Sequence, residues 1–173
     1  MPAGPDPAIP AGTPSAVMVP IVASDDPTLL LTVRSLHVRD HKGEISFPGG
    51  VRHPDDPDLL ATALRETEEE LGIDRSAFEV IGALPPTHTV VSGYVIVPYV
   101  GVLAERPSMT PSPVEIAEVL ELEIARLRRV EEEAGGEDPT GELRTWFNYT
   151  LDGRTVWGAT GRIVHSFLEA WGG

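Results

Sequence analysis

Three glutamates, Glu66, Glu69 and Glu70, stand at positions i, i+3 and i+4 of a stretch that reads as a helix. At about 100° per residue they share one arc, and Glu68 points away from it. Like charges at these spacings destabilise a helix by about 0.2–0.5 kcal/mol per pair. Arg65, four residues before Glu69, offsets only part of that cost. Two readings are open: a solvated acidic face, or a cluster kept for a hard divalent cation, since magnesium and manganese prefer oxygen ligands. Upstream lies Phe47-Pro48-Gly49-Gly50 at the end of a short strand. Glycine there lets a backbone carbonyl or amide approach a ligand closely. Taken alone, the two glycines would read as an ordinary turn. Followed by a glutamate helix, they make a phosphate-plus-metal arrangement.

The elements that must hold these residues are legible in outline. The helix is expected over residues 57–71, with Asp56 as its cap, Pro57 in the first helical position and Gly72 as the left-handed residue after its end. Leu60, Ala63, Leu64, Thr67 and Leu71 form its expected buried stripe. Branched apolar runs predict strands at 16–23, 29–33, 44–47, 79–84, 93–103 and 118–120. A short helix is expected at 121–130, followed by a solvated acidic loop at 131–142. Asp152-Gly153 predicts a type I′ hairpin turn between 145–151 and 154–157. A last helix is expected over 161–171, with Ile163, Val164, Phe167, Leu168 and Trp171 in the core or on a dimer surface. Strands mixed with few helices suggest one α+β domain over 16–173, preceded by a Pro/Gly-rich, loosely packed arm over 1–15.

Composition narrows the chemistry. The 27 acids and 13 bases give a net charge of −14. That balance argues against a nucleic-acid backbone or an anionic membrane surface as partner. It leaves room for a small phosphate ester if a cation accompanies it. The chain has no cysteine, which excludes disulfides, thiolate metal sites and cysteine nucleophiles. The longest apolar runs fall well short of the roughly 20 residues of a membrane span, and no secretory leader is evident, so a cytoplasmic location is expected. The five histidines are scattered without ligand spacing and read as surface or loop residues. Trp146, Phe147, Tyr149 and Trp157 read as packing residues of the hairpin.

Gly50, Asp56 and the run from Arg65 to Ile73 resemble the Nudix box, a glycine followed by a spaced acid and then Arg-Glu, Glu-Glu, Gly and an apolar residue. The chain departs from that pattern in three places. Asp56 stands where glutamate is usual, eight residues instead of seven precede Arg65, and Thr67 replaces a larger apolar residue. A second likeness is to the coenzyme A pyrophosphatase branch of that family. It rests on Leu30-Leu31-Thr32, Arg34-Ser35, Arg39, Gly43 and Phe47 to Gly50, and on the stretch from Val156 to Ile163.

The resemblance implies an α/β/α sandwich with a mixed sheet between helices. It implies hydrolysis of a diphosphate by water, with Mg2+ or Mn2+ held by Glu66, Glu69, Glu70 and the Gly49 carbonyl. Arg65 would orient a neighbouring glutamate. The general base stays open among Glu69, Glu70 and a later glutamate, Glu115 or Glu118. For substrate, the resemblance points to Arg34, Ser35, Arg39, Phe47 and Gly50, because an arginine fork suits phosphate oxygens; Lys42 is a weaker choice. The expected partner is a small nucleotide diphosphate, met by a monomer or homodimer. Coenzyme A is the first expectation. ADP-ribose, a dinucleotide or an oxidised nucleotide is the second, and an inactive nucleotide-binding module is the third.

Overall fold

A computed structural model describes residues 10–37, 42–89, 92–134 and 147–172 of the chain. In chain order its strands are β1 (Thr13–Val22), β2 (Thr28–Arg34), β3 (Ile45–Ser46), β4 (Gly49–Val51), β5 (Phe78–Ala83), β6 (Thr87–His88), β7 (Tyr94–Leu103), β8 (Ile116–Glu123), β9 (Tyr149–Leu151) and β10 (Arg154–Val156). The helices are α1 (Leu59–Leu71), α2 (Ile124–Ala134) and α3 (Gly158–Trp171). The central sheet runs β3-β2-β1-β7-β5, with β4 on β1, β6 on β7 and β8 on β2. Its axis is the parallel pair β1–β7, in register from Thr13 opposite Tyr94 to Val22 opposite Leu103. The other pairings are antiparallel, so the sheet is mixed.

Strand periodicity divides the sheet into two packed faces. On β1, Val17, Val19 and Ile21 face a core cluster with Ile163, Val164, Phe167 and Leu168 of α3 and Leu127 of α2. Ala16, Met18 and Val22 face the other way, towards Leu59 and Ala63 or Leu71 of α1. Leu29, Leu31 and Val33 of β2 join the α3 side, and Leu30 joins the α1 side. Burial on both faces explains why β1 and β2 read as continuous apolar runs and not as alternating ones. Helices on both sides of a mixed sheet make the expected sandwich. Among the described residues, no helix is long and apolar enough to cross a membrane.

Several boundaries differ from expectation for physical reasons. Residues 13–15 belong to the sheet: Ser15 is buried opposite Val51 and donates its hydroxyl to the Val95 carbonyl at 3.1 Å. Helix α1 starts at Leu59. Asp58 caps it by accepting from the Ala61 N–H at 2.7 Å, and Pro57 precedes the cap. Asp56 is therefore not the cap; Arg65 claims its carboxylate. The buried face of α1 is turned accordingly. Leu59, Thr62, Ala63, Thr67, Glu70 and Leu71 are buried, while Leu60 and Leu64 are only partly so. Thr67 fits an apolar position because its hydroxyl bonds back to the Ala63 carbonyl at 2.7 Å. Gly72, at φ 68°, ends the helix as expected.

Helix α2 continues through Ala134, into the stretch expected as loop; residues 135–142 lie outside the described ones. Glu131 holds that last turn, accepting from the Tyr149 hydroxyl at 2.6 Å and meeting His165 Nδ1 at 2.7 Å. His165 is thus a packed residue of α3, stacked on Phe147 at 3.7 Å, and not a surface or loop histidine. The Asp152-Gly153 turn has positive φ at both residues, as a type I′ turn requires. Tyr149 is buried as expected, but Trp157 is 53% exposed, and Trp171 lies largely outside the core. Trp146 lies outside the described residues.

Candidate active site

The site is built where α1 crosses β4. Gly49 and Gly50 begin β4, which pairs with β1 through Val17 opposite Gly49 and Ala16 opposite Gly50. A side chain at Gly49 would stand 2.2 Å from the Ala16 carbonyl, so only glycine lets β4 lie this close. A Cβ on Gly50 would fall 2.7 Å from the Glu66 carboxylate. The second glycine therefore gives Glu66 its place against the strand. Glu70, one turn on, is 3% exposed and accepts from the Gly49 N–H.

Arg65 organises the acids. Its Nε and Nη2 donate to Asp56 Oδ1 and Oδ2, both at 2.9 Å. Its Nη1 donates to Glu66 Oε1 at 2.8 Å and Glu69 Oε2 at 3.2 Å. Asp56 also accepts from the Thr62 hydroxyl and the His53 N–H, both at 2.9 Å. The Arg65 bonds hold the Asp56 carboxyl well below the usual carboxylate range despite its burial, and Asp56 in turn fixes Arg65 as a cation. Glu68 points away, to Arg75.

Burial acts in the opposite direction on the inner glutamates. Desolvation raises the Glu66 carboxyl, against the pull of Arg65, with Glu69 and Glu115 adding repulsion. Glu70 is pushed up to about 8, first by burial, with Arg34 and the Gly49 N–H opposing and Glu66 and Glu115 reinforcing. Arg34 Nη1 lies 3.9 Å from Glu70 Oε1. Arg34 Nε is buried without a hydrogen-bond partner among the described residues. So the guanidinium retains donor capacity where the carboxylates crowd.

The fold separates the two later glutamates. The Ser112 N–H donates to the Glu70 carbonyl at 2.8 Å, and the Ser35 N–H donates to the Glu115 carbonyl at 2.7 Å. These bonds hang the 112–115 segment between the end of α1 and the end of β2, and Glu115 feels Glu66 and Glu70. Glu118 turns to Arg154 at 2.7 Å instead.

Other expected residues stand as follows. Phe47 is 3% exposed within the α3-side core, so its ring anchors the Pro48-Gly49 turn and is not a free substrate contact. Ser35 is likewise buried, and its Oγ accepts from the His37 N–H at 3.1 Å. Arg39 lies outside the described residues. The sequence reading missed the joint role of Asp56 and Thr62; the available signal was an acid six residues after Gly50, with a hydroxyl six residues further on.

The donor set is all oxygen, which suits magnesium or manganese. Among the described residues no three acids or histidines already stand together at ion-binding spacing. Glu66 and Glu69 are turned to Arg65, and Glu70 lies against Arg34 and Gly49. The fit rests on the buried Glu70 and the half-buried Glu66, which repel one another, and on the exposed Glu69. A hard cation would offset the burial cost that the two arginines meet only in part.

A Nudix domain model matches residues 12–124. The chain belongs to the Nudix hydrolase family. An uncharacterized Nudix hydrolase NudL of Photorhabdus laumondii is 35% identical over 156 residues, covering 90% of this chain and 83% of that one. A protein described in the same words from Escherichia coli O7:K1 is 38% identical, covering 87% and 78%. Among solved structures, a MutT/nudix family protein from Enterococcus faecalis aligns with a TM-score of 0.61 at 15% identity, over 96% of this chain and 64% of that one. The Nudix domain of Shewanella oneidensis NrtR, solved with ADP ribose, aligns at 0.55 and 20%, over 73% and 82%. The two structural likenesses speak for the fold, and the relatives for a hydrolase acting on phosphorus anhydrides.

Proposed function

We propose that this Nudix hydrolase cleaves the diphosphate of coenzyme A or an acyl-coenzyme A, giving 3′,5′-ADP and the phosphopantetheine half. The observation that carries this reading is Arg34. It closes the β2 strand within the Leu30–Ser35 run, and its buried Nε lacks a partner among the described residues beside an acidic site. A guanidinium so placed is suited to a phosphate oxygen.

In this reading Glu66, Glu69 and Glu70, with the Gly49 carbonyl, hold Mg2+ or Mn2+. The bound ion would screen the diphosphate, acidify water and neutralise charge developing at phosphorus. Asp56 keeps Arg65 in place, and Arg65 keeps Glu66 and Glu69 aligned. Glu115, whose charge bears on Glu66 and Glu70, is the proposed acceptor of the proton from the attacking water. Arg34 takes the diphosphate from the side opposite Arg65. Water adds to one phosphorus, the bridging P–O bond breaks, and two phosphate monoesters leave.

The test is incubation of the pure protein with coenzyme A, with and without Mn2+, followed by mass analysis of products. Phosphopantetheine and 3′,5′-ADP should appear with metal. Product no higher than in a Glu69→Gln control would sink the reading. Faster turnover of ADP-ribose in the same panel would favour the second expectation.

A further inference from the structure

Beside β3 is a cleft of about 220 Å³ that the chemistry above does not use. Val33, Ile45 and Gly43 line it, together with Lys42, Arg154 and Trp157. One acid, Glu44, also lines it. Lys42 is the only lysine of a chain with net charge −14. Two cations and an exposed indole around one hollow are therefore out of keeping with the rest of the surface. A hollow smaller than the roughly 300–1,000 Å³ of a whole-ligand pocket suits one ring of a larger substrate.

The cleft and the glutamate site share a wall. The Arg34 N–H donates to the Glu44 carbonyl at 2.9 Å, and the Gly43 N–H donates to the Arg34 carbonyl at 3.0 Å. Val33 lines the cleft, and Arg34, the next residue, faces Glu70. Between them lies β3, only two residues long, on the edge of β2 opposite β8.

We propose that this cleft is the nucleoside subsite. The adenine ring stacks on Trp157, and Lys42 and Arg154 take the ribose 3′-phosphate while the diphosphate lies at Arg34. The assignment rests on the coenzyme A reading above and adds the residues that would distinguish a 3′-phosphorylated nucleotide from one without that group. Arg154 keeps its ion pair with Glu118 and presents its remaining donors. Base–aromatic stacking and a phosphate between two cations are general means of holding such a group.

Calorimetric binding to the full chain tests this with 3′,5′-ADP and AMP, neither of which has an anhydride to hydrolyse. The wild type should bind 3′,5′-ADP at least tenfold more tightly than AMP. Lys42→Ala should weaken 3′,5′-ADP about fivefold or more and leave AMP within twofold. Trp157→Leu should weaken both about tenfold, and Trp157→Phe should restore most of the loss. Thermal melts check that each variant is folded. Equal wild-type affinity for the two nucleotides, or 3′,5′-ADP binding that is unmoved by Lys42→Ala and Trp157→Leu, would overturn the assignment. If coenzyme A is not hydrolysed while 3′,5′-ADP still binds through Trp157, the proposed function fails and the subsite stands. If coenzyme A is hydrolysed but the variants bind normally, the reverse holds.

Discussion

Replacing Asp56 by alanine removes four hydrogen bonds at one carboxylate, two from Arg65, one from Thr62 and one from the His53 N–H. Deleting one partner of a buried ion pair costs about 3–5 kcal/mol. Arg65 is 23% exposed and keeps Glu66 and Glu69, so part of its charge stays solvated or paired. Thr62 retains a bond to the Asp58 carbonyl at 3.3 Å. The expected loss is therefore about 2–4 kcal/mol. In urea at pH 7, with a slope of about 2 kcal/mol per molar, the midpoint should fall by about 1–2 M without a change of slope. A second readout tests the positioning role. With Asp56 gone, the guanidinium has only Glu66 and Glu69 as carboxylate partners and competes with metal for both. The Mn2+ concentration for half-maximal activity should rise several-fold. A stability loss below about 1 kcal/mol would mean that the pair behaves as a surface ion pair. An unchanged metal requirement would mean that Arg65 does not set the glutamates.

The same pair predicts an acid dependence. Asp56 is held below its ordinary carboxyl range in the folded state, so its stabilisation is full above the unfolded value near pH 4 and is lost as pH falls through the folded one. The stability difference between wild type and Asp56→Asn should be largest at neutral pH and shrink below about pH 4; a constant difference in acid unfolding would refute it. Gly50→Ala should place a methyl within 2.7 Å of the Glu66 carboxylate and cut turnover by about tenfold or more while the fold survives, as circular dichroism and kinetics would show. Glu70→Gln removes a carboxyl that burial makes costly to ionise. It should raise the metal-free melting temperature and abolish the upward shift expected of the wild type with Mn2+; a preserved shift would remove Glu70 from the ion site. Glu115→Gln should lower kcat by about a hundredfold, as expected for loss of a proton acceptor, and an unaltered kcat would exclude that role.

Local patterns carried much of this molecule. The apolar runs of β1 and β2 marked buried strands because both faces of those strands are covered. Gly72 marked the end of α1 because a left-handed residue must follow it, and Asp152-Gly153 marked the hairpin for a similar reason. The glutamate spacing marked one arc of a helix because 3.6 residues per turn fixes it. What failed was local reasoning about residues with distant partners. Asp56 looked like a cap, as any acid before Pro57 does, until Arg65, nine residues away, claimed its carboxylate. Phe47 and Ser35 shared a motif with Arg34, yet only Arg34 reaches the acids; alternation along β2 and β3 and core packing decide which way each side chain faces.

The sequence by itself determined the helix, its three neighbouring carboxylates, the glycine turn and the kind of ion that oxygen donors would accept, because each follows from side-chain chemistry and backbone period. Tertiary structure alone decided that Gly50 gives Glu66 its place. It also tied the Glu115 backbone to Ser35 and sent Glu118 to Arg154, and it set Trp157, Lys42 and Arg154 around one cleft. Those outcomes depend on strand register and on contacts between residues far apart in the chain, which no local pattern encodes.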